Sequence, residues 1–90
     1  MPLIIWDAPK RLINLDKHKL DFSIVTEEFL RLVKPYPVRD GRLWAMGALD
    51  GVGEVIVIYK PLGSEAISII SLRKAGAKDR RLARWQDENS

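Results

Sequence analysis

Between residues 43 and 72 the chain reads as three strands joined by tight turns, which restricts the fold more than any other feature. Leu43-Trp44-Ala45-Met46-Gly47-Ala48 is the first run. Asp50-Gly51-Val52-Gly53 then gives a strong hairpin signal, because aspartate and glycine tolerate the positive φ that such turns need. Glu54-Val55-Ile56-Val57-Ile58-Tyr59-Lys60 is the best strand in the chain, and Pro61-Leu62-Gly63-Ser64 turns it into Ala66-Ile67-Ser68-Ile69-Ile70-Ser71-Leu72. Strands connected this tightly pair antiparallel. The near-continuous apolar runs at 55–58 and 69–70 place those two strands at the sheet centre.

The flanking segments are helical. Leu3-Ile4-Ile5-Trp6 predicts a short edge or paired strand, after which Asp7 is a good N-cap and Pro9 falls in the first helical turn, where its missing N–H costs nothing. Leu12, Ile13 and Leu15 form a partial apolar face, and Lys17 and Lys19 suit the negative end of the helix dipole. A second helix starts at Asp21 or Ser23, with Phe22, Val25, Phe29 and Leu32 as a core-facing stripe. Pro35-Tyr36-Pro37 stops it, and Arg39-Asp40-Gly41-Arg42 is a turn into the strands. After Gly76, residues 77–87 form a last helix with Leu82 and Trp85 on one side. The predicted class is α+β: an antiparallel sheet in the order β-α-α-β-β-β-α, with the helices packed on one face. Trp6 and Phe22 are expected to bury against one another's helices, and Asn14 to satisfy a backbone group near Asp7. Trp44 falls on the outward side of its strand, free to stack a base or meet a partner protein.

Ninety residues make a single domain spanning 1–90. The absence of cysteine excludes a disulfide framework, a thiolate metal site and a cysteine nucleophile, and one histidine is too few for a His-rich zinc site. No apolar run approaches the roughly 20 residues of a membrane span. Met1 to Asp7 lacks the pattern of a signal peptide, so the cytoplasm is the expected location. The net charge of +3 is unevenly spread. Arg73, Lys74, Lys78, Arg80, Arg81 and Arg84 face Asp79 alone in residues 73–85, and Lys10, Arg11, Lys17 and Lys19 face Asp16 alone in residues 10–19. Two basic patches suit a polyanionic partner, nucleic acid or an acidic protein segment, or are simply solvated helix faces.

Three sequence islands resemble one family. Trp6, Asp7, Lys10, Asn14, Lys17, His18 and Phe22 resemble the opening of the BrnT toxins. Arg42-Leu43-Trp44-Ala45-Met46-Gly47 is similar to that family's arginine-led strand ending in glycine. Ile69-Ile70-Ser71-Leu72-Arg73-Lys74-Ala75 is similar to its Ile-Ser-x-Arg-x-Ala strand end. The resemblance implies a compact RelE-like ribonuclease fold and a toxin of a type II toxin–antitoxin pair that inhibits translation and growth. It also implies a BrnA-like ribbon-helix-helix antitoxin as partner in a hetero-oligomer, operator DNA bound indirectly through that antitoxin, and repression of their own operon. The chain departs from the family pattern at Lys60-Pro61-Leu62-Gly63, at Ala66-Ile67, and in the last helix, where a tyrosine is common and nothing occupies its role unless Trp85 does.

The chemistry that the resemblance implies is metal-independent and cofactor-free. The RNA 2′-hydroxyl attacks the neighbouring phosphate, which requires a proton acceptor, cations for the developing charge and a donor for the leaving oxygen. The chain offers no carboxylate cluster for a two-metal site. Arg73 and Lys74 stand at a strand-to-helix junction as catalytic candidates, with arginine suited to two-pronged phosphate binding. Arg73 is equally suited to a structural ion pair with Asp7 or Glu54. His18, the only histidine, is a catalytic candidate for proton transfer, or a helix C-cap. Tyr59 ends the central strand as a further catalytic candidate, or as packing. Lys17, Arg42, Lys60, Arg80 and Arg81 are candidate RNA-binding residues. The alternatives to an active ribonuclease are a degenerate toxin that serves as antitoxin-binding co-repressor, and a plain RNA-binding module.

Overall fold

A computed structural model describes residues 2–89 and contains five strands and three α-helices. They run β1 (Leu3–Trp6), α1 (Ala8–His18), α2 (Glu27–Leu32), β2 (Tyr36–Pro37), β3 (Leu43–Leu49), β4 (Gly53–Leu62), β5 (Ala66–Lys74) and α3 (Ala77–Glu88). The strands form one sheet in the order β1-β5-β4-β3-β2. The meander is as expected: Leu43 pairs with Tyr59 and Leu49 with Gly53 around a turn in which Gly51 has φ +77°. The sheet is not wholly antiparallel. β1 lies parallel to β5, from Leu3 opposite Ala66 to Trp6 opposite Ile69. No tight turn joins these two strands, so nothing in the connection forces them antiparallel.

The β4–β5 ladder is irregular at one place. Ile58 pairs with Ser71 and Tyr59 with Ile69, so Ile70 is an extra residue on β5. A bulge of this kind bends the strand and re-aims the side chains beside it.

The two faces of the sheet are covered differently, which corrects the expectation of helices on one face. The α1–α2 side holds the main core, with Phe22, Val55, Val57, Ile69 and Leu72 fully buried. The end of α2 comes very close there: a Cβ added to Gly47 would lie 2.6 Å from Cγ1 of Val33, just past the helix, and 2.8 Å from Cε2 of Phe29 within it. On the other face Ala83 and Asp87 of α3 lie beside Trp44 and Met46. Trp44 is therefore buried beneath α3 and tilted against Tyr36, with ring centroids 6.3 Å apart, and does not face outward.

Local caps fix the helix boundaries. Asp7 accepts from the Lys10 N–H at 3.2 Å, as expected, and Lys19 ends α1 in the left-handed region with φ +60°. The second helix is later and shorter than its apolar stripe predicts. Phe22–Ile24 form a single 3-10 turn led by Asp21, and α2 proper begins after Thr26, whose hydroxyl accepts from the Phe29 N–H at 3.1 Å. That break turns Leu32 away from the core, leaving it 77% exposed. Leu12 and Ile13, part of the expected apolar face of α1, are 60% and 65% exposed.

Asn14 is buried in their place. Its Nδ2 donates to the carbonyls of Leu20 (3.0 Å) and Leu72 (2.8 Å), and its Oδ1 accepts from the Leu72 N–H at 3.0 Å. The amide thus serves β5, not the neighbourhood of Asp7. It occupies the edge of β5 just beyond the last β1 pair and continues that ladder with a side chain. Trp6 and Phe22 do meet as expected, edge to face with centroids 6.4 Å apart.

Candidate active site

The register of Asn14 brings one face of α1 to the bulge of β5. Lys10, Ile13, Asn14 and Lys17 are spaced by three and four residues, so they share a helix face, and His18 lies beside them at the helix end. That face, with Arg42 before β3 and with Ile70 and Ser71 of β5, lines a cleft of about 290 Å³. Among the described residues, the side chains of Lys10, Lys17, His18 and Arg42 form no hydrogen bond or ion pair with other protein groups. Three cations and an imidazole without partners among the described residues, around one open cleft, have the charge to suit an anion.

The helix end leaves His18 available. The C-cap is made by the backbone of Lys19, whose N–H donates to the Leu15 carbonyl at 2.9 Å. The expected capping role of the ring is therefore filled by the main chain.

The cleft gathers only part of the predicted set. Lys17, His18 and Arg42 meet in it. Lys60 is close to the Arg42 end, since its Cε lies 3.5 Å from a Cβ placed on Gly41. Tyr59 is placed differently: its ring is buried in the α1–α2 core, and burial raises its pKa, which keeps the phenol protonated at neutral pH. Lys74 is exposed at the end of β5.

Arg73 makes a two-pronged ion pair with Asp79 of α3, at 2.6 and 2.8 Å, and not with Asp7 or Glu54. The Asp79 carboxylate also accepts from the Gly76 N–H at 2.8 Å, which ties the strand end to the start of α3. The Arg73 guanidinium, more than the Gly76 N–H, holds the Asp79 carboxyl below the usual carboxylate range. Glu54 is taken by Arg80, at 2.7 Å, so Arg80 is also committed within the protein, whereas Arg81 has no such partner among the described residues.

Five residues of the cleft lie outside the predicted set: Lys10, Ile13, Asn14, Ile70 and Ser71. Lys10 was legible from its helical spacing to Lys17. Ser71 was legible only as part of a motif, because the bulge that turns it toward the cleft has no local sequence signal. Among the described residues no three His, Cys, Asp or Glu side chains come together as a metal would need, and no helix is long and apolar enough to cross a membrane.

Residues 6–79 match the family described as the ribonuclease toxin, BrnT, of type II toxin–antitoxin systems. The chain belongs to the BrnT family. It is also similar to the 1.1 Å crystal structure of the Brucella abortus ribonuclease toxin BrnT, with 46% identity and a TM-score of 0.79. That similarity covers 84% of this chain and 99% of the Brucella one. Among curated proteins none matches the chain. As a BrnT ribonuclease toxin the chain has RNA as its target and an antitoxin as its partner. The BrnT match takes in the whole lining of the cleft, and ends at Asp79, the residue that clamps Arg73.

Proposed function

We propose that the cleft between α1 and the β5 bulge cuts RNA by attack of a 2′-hydroxyl on its own phosphate, with no metal taking part. The observation that carries this reading is the convergence of Lys10, Lys17, His18 and Arg42, none of them paired among the described residues, on one open cleft. His18 takes the 2′ proton as the 2′ oxygen bonds to phosphorus. The bond from phosphorus to the 5′ oxygen breaks, leaving a 2′,3′-cyclic phosphate and a 5′-hydroxyl. Lys10, Lys17 and Arg42 hold the charge that builds on the phosphoryl oxygens, and the departing oxygen takes a proton from the imidazolium or a neighbouring ammonium. Arg73 and Lys74 extend the positive field at the end of β5, with Arg73 also serving as the clamp on Asp79.

The same surface explains neutralisation. A BrnA-like antitoxin with a ribbon-helix-helix domain would cover the cationic cleft with acidic and apolar groups, and the complex would repress the operon through the antitoxin's DNA contacts.

The test is cleavage of RNA by purified toxin in chelator, with the product ends identified. His18→Gln, Lys17→Ala and Arg42→Ala should each slow cleavage by about 10²-fold or more with melting temperature nearly unchanged. Arg73→Ala should lower both, because it breaks the clamp. Cleavage of a strand lacking the scissile 2′-hydroxyl, or an absolute need for a divalent ion, would overturn the mechanism.

A second reading has one observation in its favour. Arg73, at the family's strand-end motif, is engaged by Asp79 and not free for phosphate. A toxin homologue that binds the antitoxin and represses without cutting would cause no growth arrest when expressed without its neighbouring gene.

A further inference from the structure

Helix α3 is attached to the sheet chiefly through polar groups, and those groups use up nearly all of its acids. Asp79 is bound by Arg73, and Asp87 accepts from the Tyr36 hydroxyl at 2.6 Å and from Lys34 at 3.2 Å. These residues and Ala83 lie on the inner side of the helix. On the outer side Lys78, Arg81, Leu82 and Trp85 recur at steps of three, one and three, which is one helical stripe. Arg84 flanks it, and Glu88 is the one acid beyond its far end. Among the described residues Lys78, Arg81 and Arg84 have no ion-pair partner. Trp85 is 58% exposed and Leu82 43%, although the other side of the same helix lies against the sheet.

The stripe is near the cleft by construction. Ser71 lines the cleft, and Arg73 lies two residues further on the same face of β5, a step of about 7 Å. Arg73 is the residue that holds the start of α3 through Asp79. A strand leaving the cleft along this face therefore reaches the first turn of α3.

We propose that the outer stripe of α3 is a platform for single-stranded RNA: Trp85 stacks a base, and Lys78, Arg81 and Arg84 hold backbone phosphates of the segment flanking the cut. The proposal rests on the reading of the cleft as the RNA-cutting site. Its chemistry favours nucleic acid over a protein partner. From Lys78 to Trp85 the charges without a partner among the described residues are all positive, which suits the phosphate backbone of a strand. Cations at every turn of a helix are about 6 Å apart, close to the step between phosphates of an extended strand. One exposed aromatic among cations is the combination that sequence-tolerant single-strand binders use.

The test separates binding from cutting. A 2′-O-methylated single strand of roughly 12 nucleotides cannot be cleaved through its 2′ oxygen, and its affinity is read by fluorescence anisotropy with the intact toxin. Trp85→Ala should weaken it about 5- to 10-fold, and Trp85→Phe should keep most of the affinity. Lys78→Ala, Arg81→Ala and Arg84→Ala together should flatten the slope of log affinity against log salt by about 2. Cleavage of a trinucleotide, too short to leave the cleft, should be the same in wild type and Trp85→Ala. An unchanged affinity and salt slope in the α3 variants would overturn the platform, even if the cleft cuts RNA normally. Loss of antitoxin binding with RNA affinity intact would also overturn it and assign the stripe to a protein. Cleft variants that cut RNA at the wild-type rate, with the methylated strand still bound through Trp85, would sink only the reading of the cleft.

Discussion

Replacing Asn14 should show how closely fold and site are tied together. Its amide makes three buried hydrogen bonds, two of them to the backbone of Leu72 on β5. Asn14→Ala removes all three and leaves the Leu72 N–H at an edge that no strand covers. At about 1 kcal/mol net per bond, the loss is about 3 kcal/mol. A domain of this size has about 5–13 kcal/mol in total, so the protein stays folded, with melting lowered by about 12–24 °C.

Asn14→Asp is the sharper test. A carboxylate keeps the acceptor for the Leu72 N–H but points its second oxygen at the carbonyls of Leu20 and Leu72. Its pKa in the folded state is therefore raised above the unfolded value of about 3.9. An acid with a raised folded pKa contributes most while protonated, so the variant loses stability as pH rises above about 4. Thermal melts from pH 3 to 8, by circular dichroism, should show Asn14→Asp below Asn14→Ala at pH 7 and closest to wild type at pH 3. An Asn14→Asp variant that melts with wild type at pH 7 would refute the assignment of these hydrogen bonds.

Two other expectations follow from particular contacts. Gly47→Ala places a methyl 2.6 Å from Val33 Cγ1 and 2.8 Å from Phe29 Cε2, so urea denaturation should show about 2 kcal/mol of lost stability from overpacking; an unchanged midpoint would mean the α2 segment moves away without cost. The carboxyls of Asp21, Asp79 and Asp87 are held below their ordinary 3.8 by Arg11, Arg73 and Tyr36 respectively. Depressed acids contribute stability that is complete above the unfolded value and lost as pH falls through the folded one, so the melting temperature should be level from pH 8 to 5 and fall below about pH 4. A melting temperature that rises from pH 4 to 2 would contradict all three pairings.

The parts of the fold that were legible in the sequence depend on neighbours. The Asp50–Gly53 hairpin, the Asp7 cap and the central strands at 55–58 and 69–70 are each decided within a few residues. The parts that were not legible depend on long-range partners. Asn14 and Leu72 are 58 residues apart, and only the parallel pairing of β1 with β5 brings them together. Without that partner Asn14 reads as satisfying a backbone group near Asp7, and Leu12 and Ile13 read as part of the helix's apolar face. Thr26 caps α2, but the apolar stripe from Phe22 to Leu32 spans the break before it and points to an earlier start. At the site, the cationic residue types were visible, but the commitment of Arg73 to Asp79 and the burial of Tyr59 are set by which face of the sheet each strand position takes after the bulge.

The position of the cleft follows from the way β1 ends. β1 covers β5 only as far as Ile69, and the chain then leaves the sheet through the Asp7 cap into α1. The β5 backbone beyond that point is at an open edge, and it is where the bulge at Ile70 falls. Asn14 satisfies the edge, and any side chain one helical turn before or after it on the same face must then lie over Ile70 and Ser71. Lys10 and Lys17 are those residues, and His18 sits at the end of that last turn. The structural requirement falls on Asn14, while the side chains of Lys10, Lys17, His18 and Arg42 have no partners to satisfy among the described residues. Stability and activity should therefore fail together at Asn14 and separately at the other four. An inactive Lys10→Ala or His18→Gln toxin that keeps the wild-type melting temperature is the form in which this division would be seen.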